Sequence, residues 1–295
     1  MARGAGKGWL VRLPPMLWLV VFYLVPFLIV AKISLSQQAA RRPPYLPVFD
    51  PAAGWEAFGA ALGALSFDNF VSVVADDLIW SAYRSSLVIA AVSTVIALVL
   101  GLAIALPMAR APRRWQPVLV MLVVLPLLTS FLIRAYAWIA ILKPEGFLNG
   151  ALMALGLIRE PLAILNTDVA VVIGIVYSYL PFMILPLYAS LEKFDPSVLE
   201  AAADLGARPA QTFFLITLPM IRPAVLAGSA LVFIPAAGEF IVPDLLGGSD
   251  TLMIGRVVWT TFFSERDWPL ASALAIVLLS VVLVPLVLGR RRAPA

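Results

Sequence analysis

Apolar residues run through this chain in blocks far longer than a strand needs, and short polar connections separate them. A helix must carry about 20 apolar residues to cross a bilayer core. Six stretches reach that length: residues 15–33, 85–108, 117–142, 169–191, 224–242 and 268–288. The pattern predicts an all-α membrane protein of about six transmembrane helices. The fifth stretch differs, because Pro235, Gly238, Glu239 and Pro243 interrupt it. A broken or kinked helix is expected there, with its freed backbone groups facing protein or water rather than lipid.

The polar connections alternate in charge. Arg3, Lys7 and Arg12 precede the first stretch; Arg110, Arg113 and Arg114 follow the second; Lys193, Arg208 and Arg222 follow the fourth; Arg290 to Arg292 follow the sixth. Cytoplasmic connections are enriched in Lys and Arg, so these are read as inside. Asp50, Glu56, Asp68, Asp76, Asp77, Glu145 and Glu160 then lie outside. The expected organisation is a cytoplasmic segment over 1–14, a membrane region over 15–289 with a cytoplasmic loop at about 191–222, and a basic tail over 290–295. Both termini are expected inside a multi-pass membrane protein. The first stretch follows basic residues, as in a signal peptide, but it is long and lacks a small-residue exit, so it is read as a retained span. Lys32 is expected to snorkel toward the outer interface, and Arg290 to Arg292 to anchor orientation.

The outer connection from Arg41 to Arg84 is too long for a turn and predicts a short helix near Asp68 to Tyr83. Two readings of it stay open. It touches a solute-delivering protein, or Trp55, Phe58, Trp80 and Tyr83 rest at headgroup level.

Composition narrows the chemistry. Apolar residues make up 62% of the chain, and the mean hydropathy of +0.99 exceeds that of ordinary soluble domains. The sequence has no Cys and no His. That removes disulfides, thiolate metal sites, Cys nucleophiles and imidazole acid–base chemistry. A net charge of +4 is explained by flanking cations, so nucleic-acid binding is discounted. No phosphate-cradling Gly-Lys-Ser/Thr motif and no matched catalytic constellation is apparent. The expectation is a transport subunit rather than an enzyme, with no catalytic or metal site of its own.

One polar segment stands out between the apolar blocks. From Glu200 it reads Glu-Ala-Ala-Ala-Asp-Leu-Gly-Ala-Arg-Pro-Ala-Gln-Thr-Phe-Phe-Leu-Ile-Thr-Leu-Pro, ending at Pro219. Ala201 to Ala203 favour helix, Gly206 ends or bends it, and Pro209 starts a second helix to about Ile216. Phe213, Phe214 and Ile216 are expected to anchor the element to the spans, leaving Glu200, Asp204 and Arg208 for a soluble partner. This spacing of Glu-Ala-Ala, Gly206, Ile216, Leu218 and Pro219 resembles the signature of bacterial ATP-binding-cassette importer permeases. The resemblance implies the MetI-like fold of type I importers and docking of this helix in a groove of a separate ATPase. Glu200 would make a polar contact there and Gly206 would permit the bend. Ala201, Ala202, Leu218 and Pro219 would supply packing and shape.

Cargo is argued from the presumed pathway. Glu239 and Asp244 place two carboxylates near the outer end of a broken span, where ionised acids are costly unless water or a cation accompanies them. That favours a cationic solute, with Tyr136, Trp138, Tyr177 and Tyr179 as faces over which an ammonium is attracted. Glu239 has a second reading, as a buried ion-pair partner of Arg134, and the rings have a second reading as interfacial belt residues. Gly238-Glu239-Phe240, Leu245-Leu246-Gly247-Gly248, Met253-Ile254-Gly255-Arg256 and Arg266-Asp267-Trp268-Pro269 resemble the permeases of spermidine and putrescine importers. The run from Pro126 to Trp138 is similar too, and the long outer connection is most like the putrescine-type first permease subunit. This narrower resemblance implies a second permease subunit, two ATPase copies carrying ATP and Mg, an external polyamine-binding protein and the lipid bilayer as partners. A permease for another small solute, such as an iron complex, an oxyanion or an opine, is the alternative.

Overall fold

The computed structural model describes residues 5–49 and 54–291, and Arg3, Asp50 and Arg292 lie outside them. Helices α1 (Ala5–Leu19) and α2 (Val25–Ser34) are joined by a π-turn over Val20–Leu24. A two-residue hairpin follows, β1 (Gln37–Gln38) against β2 (Tyr45–Leu46), in antiparallel register with Gln38 opposite Tyr45. Then come α3 (Gly54–Gly63), α4 (Asp68–Ala75), the long α5 (Asp77–Arg110), α6 (Gln116–Val124), α7 (Phe131–Leu142), α8 (Phe147–Ala154) and α9 (Asp168–Leu191). The remainder comprises α10 (Pro196–Asp204), α11 (Pro209–Thr212), α12 (Leu218–Met220), α13 (Arg222–Ala237), α14 (Ile241–Leu246), α15 (Ile254–Phe263) and α16 (Trp268–Arg291).

The chain divides into two compact units, Met1–Ser81 with Val257–Ala295, and Ala82–Arg256. In the first, α16 packs along α2 and α4. Asn69 ties α4 to the end of α2 by donating to the carbonyls of Ser34 (2.8 Å) and Ser36 (2.7 Å). At the end of α2 the Lys32 Nζ donates to the Pro47 carbonyl and lies over the Tyr45 and Phe49 rings. The outer connection also holds more helix than its composition suggests. The stretch Gly54–Ala75 is itself long and apolar enough to cross a membrane. The expected helix near Asp68 to Tyr83 ends at Ala75, because Asp76 turns extended and its side chain then caps α5 by accepting from Leu78 N (2.8 Å).

In the second unit α9 is central, packing chiefly on α13 and also on α6, α7 and α14. Its buried face joins Val176, Met183, Leu187 and Leu191 to Ala97 and Ala105 of α5 and Val232 of α13. Small residues set the approach: a Cβ on Gly101 would meet Met183 Cγ at 2.7 Å, and one on Gly228 would meet Met183 Sδ at 2.8 Å.

Four stretches are long and apolar enough to span, Arg12–Ser34, Gly54–Ala75, Asp77–Arg110 and Asp168–Leu191. Counting bent helix pairs as single spans brings the number to six. The third expected span, residues 117–142, is one such pair, Gln116–Leu128 and Phe131–Ala154, meeting at 90°. Pro126 explains the break, since it has no N–H to donate and tightens the chain into a 3-10 turn before extended Thr129. The fifth is broken as expected, with α13 ending at Ala237 and α14 starting at Ile241. The sixth expected span matches α16, of which Trp268–Val284 is apolar.

Candidate functional site

The first candidate site is the polar element from Asp195 to Pro219. Pro196 occupies the first helical position, where a missing N–H costs nothing, and Asp195 accepts from Ser197 N (3.0 Å). Those hydrogen bonds hold the exposed Asp195 carboxyl below the usual aspartate range. At the other end Gly206 takes φ +80°. Gly206 N donates to Ala203 O (2.9 Å) and Ala207 N to Ala202 O (3.0 Å), the bond pair of a Schellman cap. Gly206 thus closes α10 in a conformation that side chains with a Cβ resist. Arg208 N donates to Gln211 Oε1 (2.8 Å), and α11 begins. The expected helix to Ile216 is present, but residues Phe213–Thr217 widen into a π-turn.

Glu200, Ala201, Asp204, Gly206, Arg208 and Pro219 are exposed, whereas Ala202 is buried and Leu218 and Ile216 are half-buried. The anchoring face is narrower than expected. Phe213 and Ile216 are half-buried, Thr217 is buried, but Phe214 is 62% exposed. Leu205, at the tip of the kink, is 89% exposed. Beside the element lies an open cavity of about 960 Å³, lined among others by Arg110, Arg113, Gln116, Tyr188, Glu192 and Glu200. Gln116 Nε2 donates to the carbonyls of Ala109 (3.2 Å) and Ala111 (3.1 Å), which ties the connection after α5 to that helix's end.

The second candidate site is the gap between α13 and α14. Glu239 is only 6% exposed. Its Oε1 accepts from Phe240 N (3.1 Å) and Ile241 N (3.0 Å), and its Oε2 accepts from the Tyr179 hydroxyl. The carboxylate therefore caps the broken span and ties it to α9. Gly255 lies against the Gly238 and Glu239 carbonyls where no Cβ fits, and Gly174 admits Val242 of α14 against α9.

The six pathway candidates do not form one wall. Trp138 and Tyr177 meet edge-to-face at 5.4 Å, while Tyr179 meets Glu239. Tyr177 and Tyr179 are two positions apart on one helix, so they point in nearly opposite directions. Tyr136 is 59% exposed. Asp244 is paired with Arg256 at 3.3 Å. The alternative Glu239–Arg134 ion pair is not formed, and Arg134 Nε and Nη1 are buried with no hydrogen-bond partner among the described residues. Tyr179 and the backbone of α14 take the place of Arg134 around Glu239. Sequence reasoning missed the Tyr179 tether, the Asp244–Arg256 pair and the grip of Tyr45 and Phe49 on Lys32. Each joins residues distant in sequence or lies in a loop without periodicity, so no local pattern signals it.

Broken apolar helices gathered round α9, with a kinked polar element emerging between two of them, define a multi-span permease. Residues 94–290 match the family described as "Binding-protein-dependent transport system inner membrane component", and the chain belongs to that family. It is 38% identical to the spermidine/putrescine transport system permease protein PotB of Haemophilus influenzae, over 88% of this chain and 84% of the relative. It is 42% identical to the Escherichia coli protein of the same name, over 74% of this chain and 78% of that one. The fold also superposes, with a TM-score of 0.69 at 18% identity and coverage of 96% and 93%, on a chain from the crystal structure of a bacterial alginate ABC transporter in complex with an alginate pentasaccharide-bound periplasmic protein. The fold is thus that of an ABC importer permease. These are transport components of the inner membrane, not enzymes.

Proposed function

We propose that this chain is a transmembrane permease subunit of an ATP-driven polyamine importer, forming half of the pathway for putrescine or spermidine. A second permease subunit would supply the other half, two copies of a cytoplasmic ATPase carrying ATP and Mg would drive it, and an external polyamine-binding protein would deliver cargo. The observation that carries the coupling reading is the exposed, Gly206-kinked element joined directly to the two helices that pack most extensively, α9 and α13. A rigid element attached to both can transmit a push from a soluble partner into their packing, shifting the population between two arrangements. On this reading Glu200 and Asp204 face the ATPase, Gly206 shapes the contact, and Ala202, Ile216 and Leu218 hold it to the membrane region, while the exposed Ala201 and Pro219 add to the shape of the docking surface rather than to packing. Both termini and this element lie on the cytoplasmic side.

Support for the cargo comes from the relatives named for spermidine and putrescine transport and from the buried acid at Glu239. A chain of the same fold from a transporter involved in import of the acidic polysaccharide alginate illustrates that fold does not set cargo. The second reading, another small solute, therefore stays tied to the uptake result. The test is uptake of labelled putrescine and spermidine by cells carrying the complete transporter, with and without this subunit. Loss of uptake on deletion supports the proposal, and undiminished uptake overturns it. Glu200→Lys is expected to release the ATPase during co-purification while the spans stay inserted. Intact co-purification would overturn the docking role.

A further inference from the structure

Lys32 carries an ammonium on four methylenes, the same chemical unit that closes each end of an aliphatic diamine. Its Nζ lies 4.3 Å from the centroid of the Tyr45 ring and 4.8 Å from that of Phe49. Both distances are inside the range of about 6 Å over which a ring face attracts a cation. The Pro47 carbonyl, between the two rings in sequence, accepts a hydrogen bond from the same Nζ. Two faces and one acceptor are what recognition of a primary alkylammonium requires.

The walls of this cage are held by contacts that do not involve Lys32. Tyr45 is fixed by the β1–β2 pairing and lies 6.2 Å from Trp268, which stacks on Phe262 at 5.0 Å. Phe49 packs on Phe58 at 5.1 Å. A cavity of about 570 Å³ shares Pro47 and Phe49 with the cage and is lined also by Ala60, Ala61 and Arg41. The Arg41 guanidinium disfavours a second ammonium there, so the site suits one end of a chain whose other end remains outside.

We propose that Tyr45, Phe49 and the Pro47 carbonyl form a binding site for a primary alkylammonium, filled in this conformation by Lys32 as a tethered competitor, and that one terminal ammonium of a diamine or polyamine takes it when Lys32 withdraws. The identity of the competitor's replacement rests on the polyamine reading above; the alkylammonium chemistry does not.

The experiment is chemical rescue in the assembled transporter, reconstituted in nanodiscs of phosphatidylglycerol so that no lipid amine is present. Lys32→Ala empties the cage. Saturating n-butylammonium is expected to raise its thermal midpoint by about 3 °C or more, leaving the wild type unmoved. n-Butanol, which has the stem without the charge, is expected to do nothing, and adding Tyr45→Leu and Phe49→Leu to Lys32→Ala is expected to abolish the response. 1,4-Diaminobutane is expected to act like n-butylammonium. An equal shift in the wild type, an equal shift with butanol, or a shift surviving loss of both rings would overturn the site. If Lys32→Ala does not assemble, Lys32→Ser removes stem and charge alike, and no amine response in it would equally overturn the site. If phosphatidylethanolamine in the nanodisc reproduces the rescue without added amine, the ligand is a lipid headgroup and the diamine assignment is overturned. A persisting butylammonium shift without polyamine uptake would sink the cargo reading alone, whereas uptake without any shift would sink this site alone.

Discussion

Glu200 and Glu239 stand near opposite ends of the stretch that contains α13, and the chain treats them in contrary ways. Glu200 is exposed on a kinked element and faces an open cavity. Glu239 is buried and its acceptor oxygens are taken by a tyrosine hydroxyl and two backbone N–H groups. The same side chain thus offers itself to a partner in one place and completes a break in a helix in the other. Exposure, not residue type, separates an acid that can recruit from one that holds structure, because a buried carboxylate is tolerated only when its oxygens are satisfied.

Substitutions at the two places can break that comparison. The largest effect on ATPase attachment is expected from Gly206→Val, which forces a β-branched residue into φ +80° and so distorts the cap rather than crowding a neighbour. ATPase co-purification should fall roughly tenfold, as for about 1–2 kcal/mol of left-handed backbone strain placed in the docking surface. Unchanged co-purification would show that the kink is not read by the partner. Next, Glu239→Ala should cost about 1–3 kcal/mol by stranding buried donors, seen as a lowered midpoint of thermal unfolding with ATPase attachment intact. Glu239→Gln sharpens the point, since it keeps an acceptor and removes the charge. A stable Glu239→Gln protein with normal polyamine uptake would mean that Glu239 is structural only.

Asp195→Ala should loosen the start of α10, with a definite pH dependence. The folded carboxyl titrates below its unfolded value of about 3.9, so its contribution is present above that pH and fades as pH falls through the folded value. Wild type and variant should therefore differ in ATPase attachment at neutral pH and converge in strong acid. Asp244→Asn should do least, because the pair with Arg256 is more than half exposed on the Asp side and such pairs contribute about 0–1 kcal/mol. A large loss of uptake in that variant would return Asp244 to the pathway.

Much of the helical layout was legible because it depends on local pattern. Apolar runs of sufficient length marked α5, α9 and α16, and proline and glycine marked the break before α14. Ala201 to Ala203, Gly206 and Pro209 announced two short helices and the turn between them, since each acts through its local backbone preference. The 90° bend after Leu128 was hidden because an apolar count sees Pro126 as one more apolar residue. The apolar helix α3 was hidden because a long connection with mixed composition has no single period. Tertiary pairs were the least visible. Nothing near Glu239 in sequence specifies Tyr179, 60 positions earlier, and electrostatic intuition nominated Arg134 because charge attracts charge, whereas the α14 amides and a phenol are geometrically closer to hand.

Met183 touches glycine backbones on both flanks, Gly101 of α5 and Gly228 of α13. An unbranched thioether has three rotatable bonds and a soft, polarizable sulfur, so it fits many shapes at little cost. Where stiff aliphatic knobs would lock neighbouring rods into one register, this side chain can re-form its contacts by rotating about its own bonds. Any small shift there asks for a torsion change in one flexible side chain and leaves both faces in touch.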